Sequence, residues 1–146
     1  MANWLFKSEP DEFSIDDLRD AGTTRWDSIR NYGARNRLKE CVPGDRVLFY
    51  HSGRKASVVG VARVASKPYP DPLQFEPESD YCDPKSSPDD PRWWAVDIAF
   101  VRALDEPVTL KSMKAEEALS GLEVLAQPRL SVSRVGSAEF ERVLNP

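Results

Sequence analysis

Two runs rich in Val and aromatic residues, Arg46 to His51 and Ser57 to Ala65, are separated only by Ser52-Gly53-Arg54-Lys55-Ala56. Such a pair, joined by a short loop containing Gly, reads as a β-hairpin. Upstream, Trp4 and Phe6 alternate with Leu5 and Lys7, which makes Asn3 to Lys7 a further strand. Pro10 cannot continue a ladder, so the strand ends at Ser8-Glu9-Pro10. Trp93 to Arg102 alternates again, with Trp94, Val96, Ile98 and Phe100 on one face, and Arg129 to Ser133 reads as a short strand. Gly60 stands inside the second hairpin strand, where a missing side chain lets a ligand or a neighbour come close.

Helix signals fall between these strands. Ser14 and Asp17 have the spacing of a capping box, Phe13 and Leu18 that of a hydrophobic staple, and Gly22 supplies a left-handed stop. Ala34 to Cys41 is a second short helix, followed by the turn Pro43-Gly44-Asp45. Lys111 to Leu125 reads as helix in broken pieces, interrupted by Gly121. Ser137 is expected to cap a last helix that buries Phe140, Val143 and Leu144. Residues 66–92 hold seven of the twelve prolines and show no period, which marks a long ordered excursion or lid. The expectation is one α+β domain over residues 1–146, a mixed, partly closed β-barrel with short peripheral helices. A doubly wound sheet is disfavoured, because long helices do not alternate with the strands and no Gly-rich phosphate turn follows one.

Composition excludes several classes. With 40% apolar and 30% charged residues, the chain fits an ordinary soluble protein. No apolar run is long enough to span a bilayer, and the N-terminus lacks the pattern of a secretory signal. Cys41 and Cys82 form neither a disulfide framework nor a metal motif. An intracellular, cytoplasmic location is expected, nuclear if the source is eukaryotic, with no cofactor and no metal. The net charge of −4 argues against a general nucleic-acid coater. Within residues 25–39, however, Arg25, Arg30, Arg35, Arg37 and Lys39 face only Asp27, a local basic patch suited to a small footprint on a polyanion or to a solvated helix face.

That patch overlaps the stretch from Trp26 to Asn36, which is aromatic, amide-bearing and cationic with almost nothing aliphatic. Trp and Tyr offer flat faces for stacking, Asn a paired donor and acceptor, and Arg a planar cationic fork. These are the groups that hold a nucleobase and its phosphates, although simple burial of Trp26 is the plainer use. Catalytic signatures are scarce. His51 is the lone histidine, without an evident nucleophile and acid partner, and the nucleotide-binding Gly motifs are absent. Lys7 and Glu9 share a strand face and suit an ion pair or ligand contact better than acid–base work. The strand ends Lys7-Ser8-Glu9 and Phe49-Tyr50-His51-Ser52 deliver polar groups after apolar stretches and mark where a site would open.

Several segments resemble one family in order along nearly the whole chain. They are Trp4 to Pro10, Trp26 to Asn36, Gly44 to Ser52, Gly60 to Val64, Tyr69-Pro70-Asp71-Pro72, Asp83 to Ser86 and Arg129 to Val132. Together they are similar to the EVE domain. The resemblance implies a PUA-like fold, shared with the YTH and SRA readers of modified bases, and a pocket for a flipped or unpaired base. Modified cytosine or adenine is the implied ligand, with DNA ranked ahead of RNA. It places Trp26 as the stacking wall, Lys7, Ser8 and Glu9 on the pocket strand, and Asn31 and Tyr32 at the rim. Tyr50, His51 and Ser52 would close the pocket. Arg30, Arg35 and Asn36 would hold the backbone, and Arg129 would brace the site. Gly33 stands where relatives often carry a larger residue such as Gln, which removes a rim contact and leaves the exact ligand open. The function expected is a non-catalytic reader of a methylated or oxidised-methyl base. The alternatives are an RNA reader, a small-molecule hydrolase or transferase using Lys7, Glu9 or His51, and an interaction domain with a vestigial pocket.

Overall fold

The central strands of this protein have to serve two cores, and the alternation of side chains shows it. In the computed structural model, which describes residues 2–145, Trp4 and Phe6 face one apolar cluster while Leu5 faces another. Val47 and Phe49 likewise face the first cluster, and Leu48 and Tyr50 the second. A strand buried on both faces loses its polar alternation and reads as a continuous apolar run.

The strands are β1 (Asn3–Ser8), β2 (Thr23–Trp26), β3 (Arg46–His51), β4 (Ser57–Val64), β5 (Tyr69–Pro70), β6 (Trp94–Thr109) and β7 (Val132–Val135). They form one mixed sheet in the order β2-β6-β4-β3-β1-β7, with β5 paired to β6. β1 and β3 run parallel and the other pairs are antiparallel. The helices are α1 (Ile15–Ala21), α2 (Tyr32–Glu40), α3 (Leu110–Ala115), α4 (Glu123–Ala126) and α5 (Ser137–Leu144). α1 and α2 contribute Ile15, Leu18, Ala34 and Leu38 to the first core, whereas α3, α4 and α5 contribute Met113, Val124, Phe140 and Val143 to the second. The sheet does not close on itself. α2 packs on both β6 and β7 and so lies across the gap, giving the partly closed barrel.

The capping box at Ser14 forms as expected, with Asp17 N–H donating to Ser14 Oγ at 3.1 Å and Ser14 N–H to Asp17 Oδ2 at 2.9 Å. Gly22 ends α1 at φ 80°. Other boundaries differ from the sequence expectation for identifiable reasons. α2 begins at Tyr32 rather than Ala34, because the Asn31 side chain accepts the Ala34 N–H at 3.0 Å and acts as the cap. α5 is capped at Gly136, whose N–H donates to the Glu139 carboxylate at 3.0 Å, so Ser137 is inside the helix. Of the three residues expected to be buried there, Phe140 and Val143 are and Leu144 is half-buried. The last strand starts at Val132, since a turn with Leu130 N–H on the Gln127 carbonyl takes up Arg129 and Leu130. β2 and β5 are short additions, and β6 runs on past Arg102 to Thr109 as a largely exposed ribbon.

Gly60 lies where α1 crosses the sheet. A Cβ there would stand 2.7 Å from Ile15 Cγ1 and 2.9 Å from the Arg102 carbonyl oxygen. The close neighbour is therefore α1. The backbone oxygen cannot rotate away, so Gly60→Ala overpacks the site at a cost of about 1–3 kcal/mol. Thermal unfolding of that variant should fall by about 3–10 °C relative to the parent, and an unchanged midpoint would show that α1 does not sit this close.

Candidate nucleic-acid interface

The end of β1, the end of β2 and the residue following β3 meet at one rim of the sheet. Ser52 N–H donates to the Ser8 carbonyl at 2.9 Å, and Ser8 Oγ to the Phe13 carbonyl at 2.5 Å, which ties the ends of β1 and β3 to the lead into α1. Between them opens a cleft of about 690 Å³, within the range that holds a small ligand. Lys7, Ser8, Glu9, Trp26 and Ser52 all line it, so five of the nine expected base-pocket residues converge. Phe13 and Ile29 add apolar wall, and Thr24, Arg25, Asp27, Ser28, Tyr81 and Ser131 add polar groups.

Trp26 is the floor of this cleft and is only 8% exposed. Its ring lies 5.5 Å from that of Phe6 and 5.6 Å, edge-on, from that of Phe49. It therefore belongs to the core and to the cleft at once. Above it, Asp27 holds Arg25 Nε at 2.7 Å and Ser28 Oγ at 2.9 Å. Ser28 has a φ of 68°, a left-handed conformation that a non-glycine residue adopts only when its surroundings impose it. The imposing group is Asp71, whose Oδ2 accepts the Ser28 N–H at 2.8 Å.

Asp71 is fully buried and also caps the 3₁₀ turn Pro72–Phe75 through the Leu73 N–H at 2.8 Å, and pairs with Arg30 at 3.0 Å. Next to it the buried Gln74 amide donates to the Asp71 and Trp93 carbonyls and accepts from Ser86, Arg92 and Trp93. Residues 66–92 are thus an ordered excursion pinned from inside. Asp71 and Gln74 were missed as organising residues, although an Asp immediately before Pro72 is the sequence sign of a capped turn.

The remaining expected site residues lie outside the cleft lining. Asn31 caps α2 and, with Arg129, lines a separate shallow hollow of about 330 Å³. Tyr32 is 51% exposed and stacks on Trp93 at 4.9 Å. Tyr50 points into the second core, with Lys7 Nζ 5.7 Å from its ring centre. His51 accepts the Ile15 N–H on Nε2 at 3.0 Å and so holds the start of α1. Arg30 donates to the Tyr81 carbonyl as well as to Asp71, Arg35 to the Arg92 carbonyl at 2.9 Å, and Asn36 accepts from Arg35. Of the five cations in the basic stretch, Arg25, Arg30 and Arg37 are ion-paired with Asp27, Asp71 and Glu123. Acids distant in the chain thus take up Arg30 and Arg37, and neighbouring Asp27 takes up Arg25.

Lys7 Nζ donates to the Pro128 carbonyl, and burial holds its pKa below the ordinary lysine value. Among the described residues no group of His, Cys, Asp and Glu is arranged to hold a metal, and no helix is long and apolar enough to cross a membrane.

The EVE domain model matches residues 2–146. The chain belongs to the EVE domain family. Thymocyte nuclear protein 1 of Mus musculus is 36% identical over 162 residues, covering 97% of this chain and 72% of that protein. A hypothetical protein from Leishmania major superposes with a TM-score of 0.94 at 40% identity, over 99% of this chain and 93% of its own. Human THYN1 protein, solved in complex with 5-methylcytosine containing DNA, superposes with a TM-score of 0.93 at 34% identity, over 99% and 96% of the two chains. This EVE domain thus has the PUA-like architecture expected for it.

Two outcomes test the geometry of this EVE domain. Burial lowers the His51 pKa, the folded state accordingly binds fewer protons than the unfolded one, and the stability held above about pH 6.5 is lost as pH falls. Thermal melts should show this acid-side loss in the parent and a shallower one in His51→Gln. Asp71→Ala leaves Arg30 and the Ser28 N–H without their shared acceptor, at a cost of about 2–5 kcal/mol. Limited proteolysis should then cut within residues 66–92 faster than in the parent, and equal cutting rates would show that Asp71 does not pin this segment.

Proposed function

We propose that this EVE domain is a non-catalytic reader of a modified base, with methylated cytosine in DNA as its preferred ligand. The observation that carries this reading is the cleft above Trp26, in a chain that aligns end to end with a relative solved on 5-methylcytosine containing DNA. The cleft has an aromatic floor, apolar walls at Phe13 and Ile29, and carboxylates at Glu9, Glu12 and Asp27 against only Lys7 and Arg25. A ring of acceptors is suited to the amino group of cytosine and poorly suited to phosphate. Asp27 is the acceptor best placed to read it, because the Arg25 and Ser28 bonds fix its orientation.

Taking a base out of a duplex costs a few kcal/mol, and stacking returns about 1–3. A single methyl group on an apolar wall adds about 1–3 kcal/mol, so preference for the methylated base is bounded at about 10- to 200-fold. Binding without turnover fits the engagement of the one histidine, whose Nε2 faces the Ile15 N–H.

The test is titration of matched oligonucleotides carrying unmodified, methylated or oxidised cytosine, or methylated adenine, as DNA and as RNA. The methylcytosine DNA should bind at least severalfold more tightly than its unmodified match. Asp27→Asn should weaken it by about 5- to 150-fold through loss of the acceptor charge. Equal binding of every oligonucleotide, unchanged in the variant, overturns the reading. Preference for the RNA series would reassign the partner to RNA.

A further inference from the structure

If the cleft takes a base, the phosphates attached to that base need a separate surface. The cleft itself carries more acids than bases, and the cations of residues 25–39 are mostly paired within the protein. Beside it lies a surface with the opposite character. The loop between β3 and β4 and the start of α3 enclose a groove of about 740 Å³, with Pro107 and Leu110 among its apolar residues. Arg54, Lys55, Lys111 and Lys114 line it, and no acidic side chain does. All four are exposed, and none forms an ion pair among the described residues. On a chain of net charge −4, four unpaired cations in one groove are a local reversal of sign.

The groove begins where the cleft ends. Ser52 lines the cleft and Gly53, the next residue, lines the groove. The sheet register gives the same adjacency across strands, since Ser8 pairs with His51, His51 with Ser57, and Ser57 with Thr109. Ser8 belongs to the cleft, Ser57 and Thr109 to the groove, and three strand spacings separate the ends of this row by about 14 Å. That is a short step along one nucleic-acid strand. The apolar floor between the cations suits sugars and exposed base faces, and the long flexible side chains suit phosphates.

We infer that the groove between Arg54-Lys55 and Lys111-Lys114 binds the phosphate backbone of the DNA strand whose modified base enters the cleft. This rests on the reader function proposed above, and its test separates the two. The probe is a short single-stranded DNA carrying one 5-methylcytosine, with its unmodified match, titrated over a range of salt concentrations. Each cation engaged on a single strand contributes about 0.7 to the slope of log affinity against log salt. Replacing Arg54, Lys55, Lys111 and Lys114 together by Gln should therefore flatten the slope by up to about 3 and weaken both oligonucleotides equally. A control in which Arg63, Lys67, Lys85 and Arg102 become Gln has the same net charge, uses cations that are also exposed and outside ion pairs, and should leave the slope nearly unchanged. An unchanged slope in the groove variant, or an equal fall in the control, overturns the inference. Absence of DNA binding by the parent overturns both proposals. If the parent shows no methyl preference but the groove variant alone flattens the slope, the groove stands and the reader function falls.

Discussion

A carboxylate removed from water must be answered by several donors, and Asp71 is where this protein meets that demand. It is fully buried, and its two oxygens accept from the backbone of Ser28 and Leu73 and from the Arg30 guanidinium. An isolated buried charge is costly, and a well-partnered one fixes geometry. Here it fixes three things together: the capped turn after β5, the left-handed backbone at Ser28, and the side chain of Arg30. Gln74 extends the network by filling the hydrogen-bonding capacity of a proline-rich segment that forms little regular structure. The rim of the cleft takes its shape from these polar anchors, while its floor takes it from the aromatic core.

The regular elements were legible wherever a local rule sufficed. The hairpin strands, the capping box at Ser14, the stop at Gly22 and the broken helices after Thr109 could be read from alternation, caps and glycine alone. The boundaries that moved were settled by side chains with two uses. Asn31 is an amide suited to reading a base and equally suited to capping a helix, and the folded chain uses it as a cap. Ser137 looked like a cap, yet its hydroxyl accepts from the Asn3 amide at 3.1 Å.

The site was half legible for a related reason. Strand ends that turn polar after an apolar run pointed to Lys7, Ser8, Glu9 and Ser52, because where a strand leaves the core is a local property. The basic stretch was misleading, because charge counted along a chain omits the acids that folding brings to it. Asp71 reaches Arg30 across 41 positions and Glu123 reaches Arg37 across 86. The cations of the groove, Arg54, Lys55, Lys111 and Lys114, form two small clusters far apart in sequence and meet through the pairing of Ser57 with Thr109.

The double membership of Trp26, in core and cleft, has an evolutionary consequence. A substitution there disturbs the packing of Phe6 and Phe49 as well as any ligand, so selection for foldability holds the floor constant whatever the ligand is. The exposed side chains of the rim are under no such restraint. Side chains such as Glu9, Glu12 and Arg25 are exposed and can be exchanged without unfolding the sheet. A lineage built on this scaffold can thus acquire new preferences by drifting at the rim while inheriting an unaltered floor.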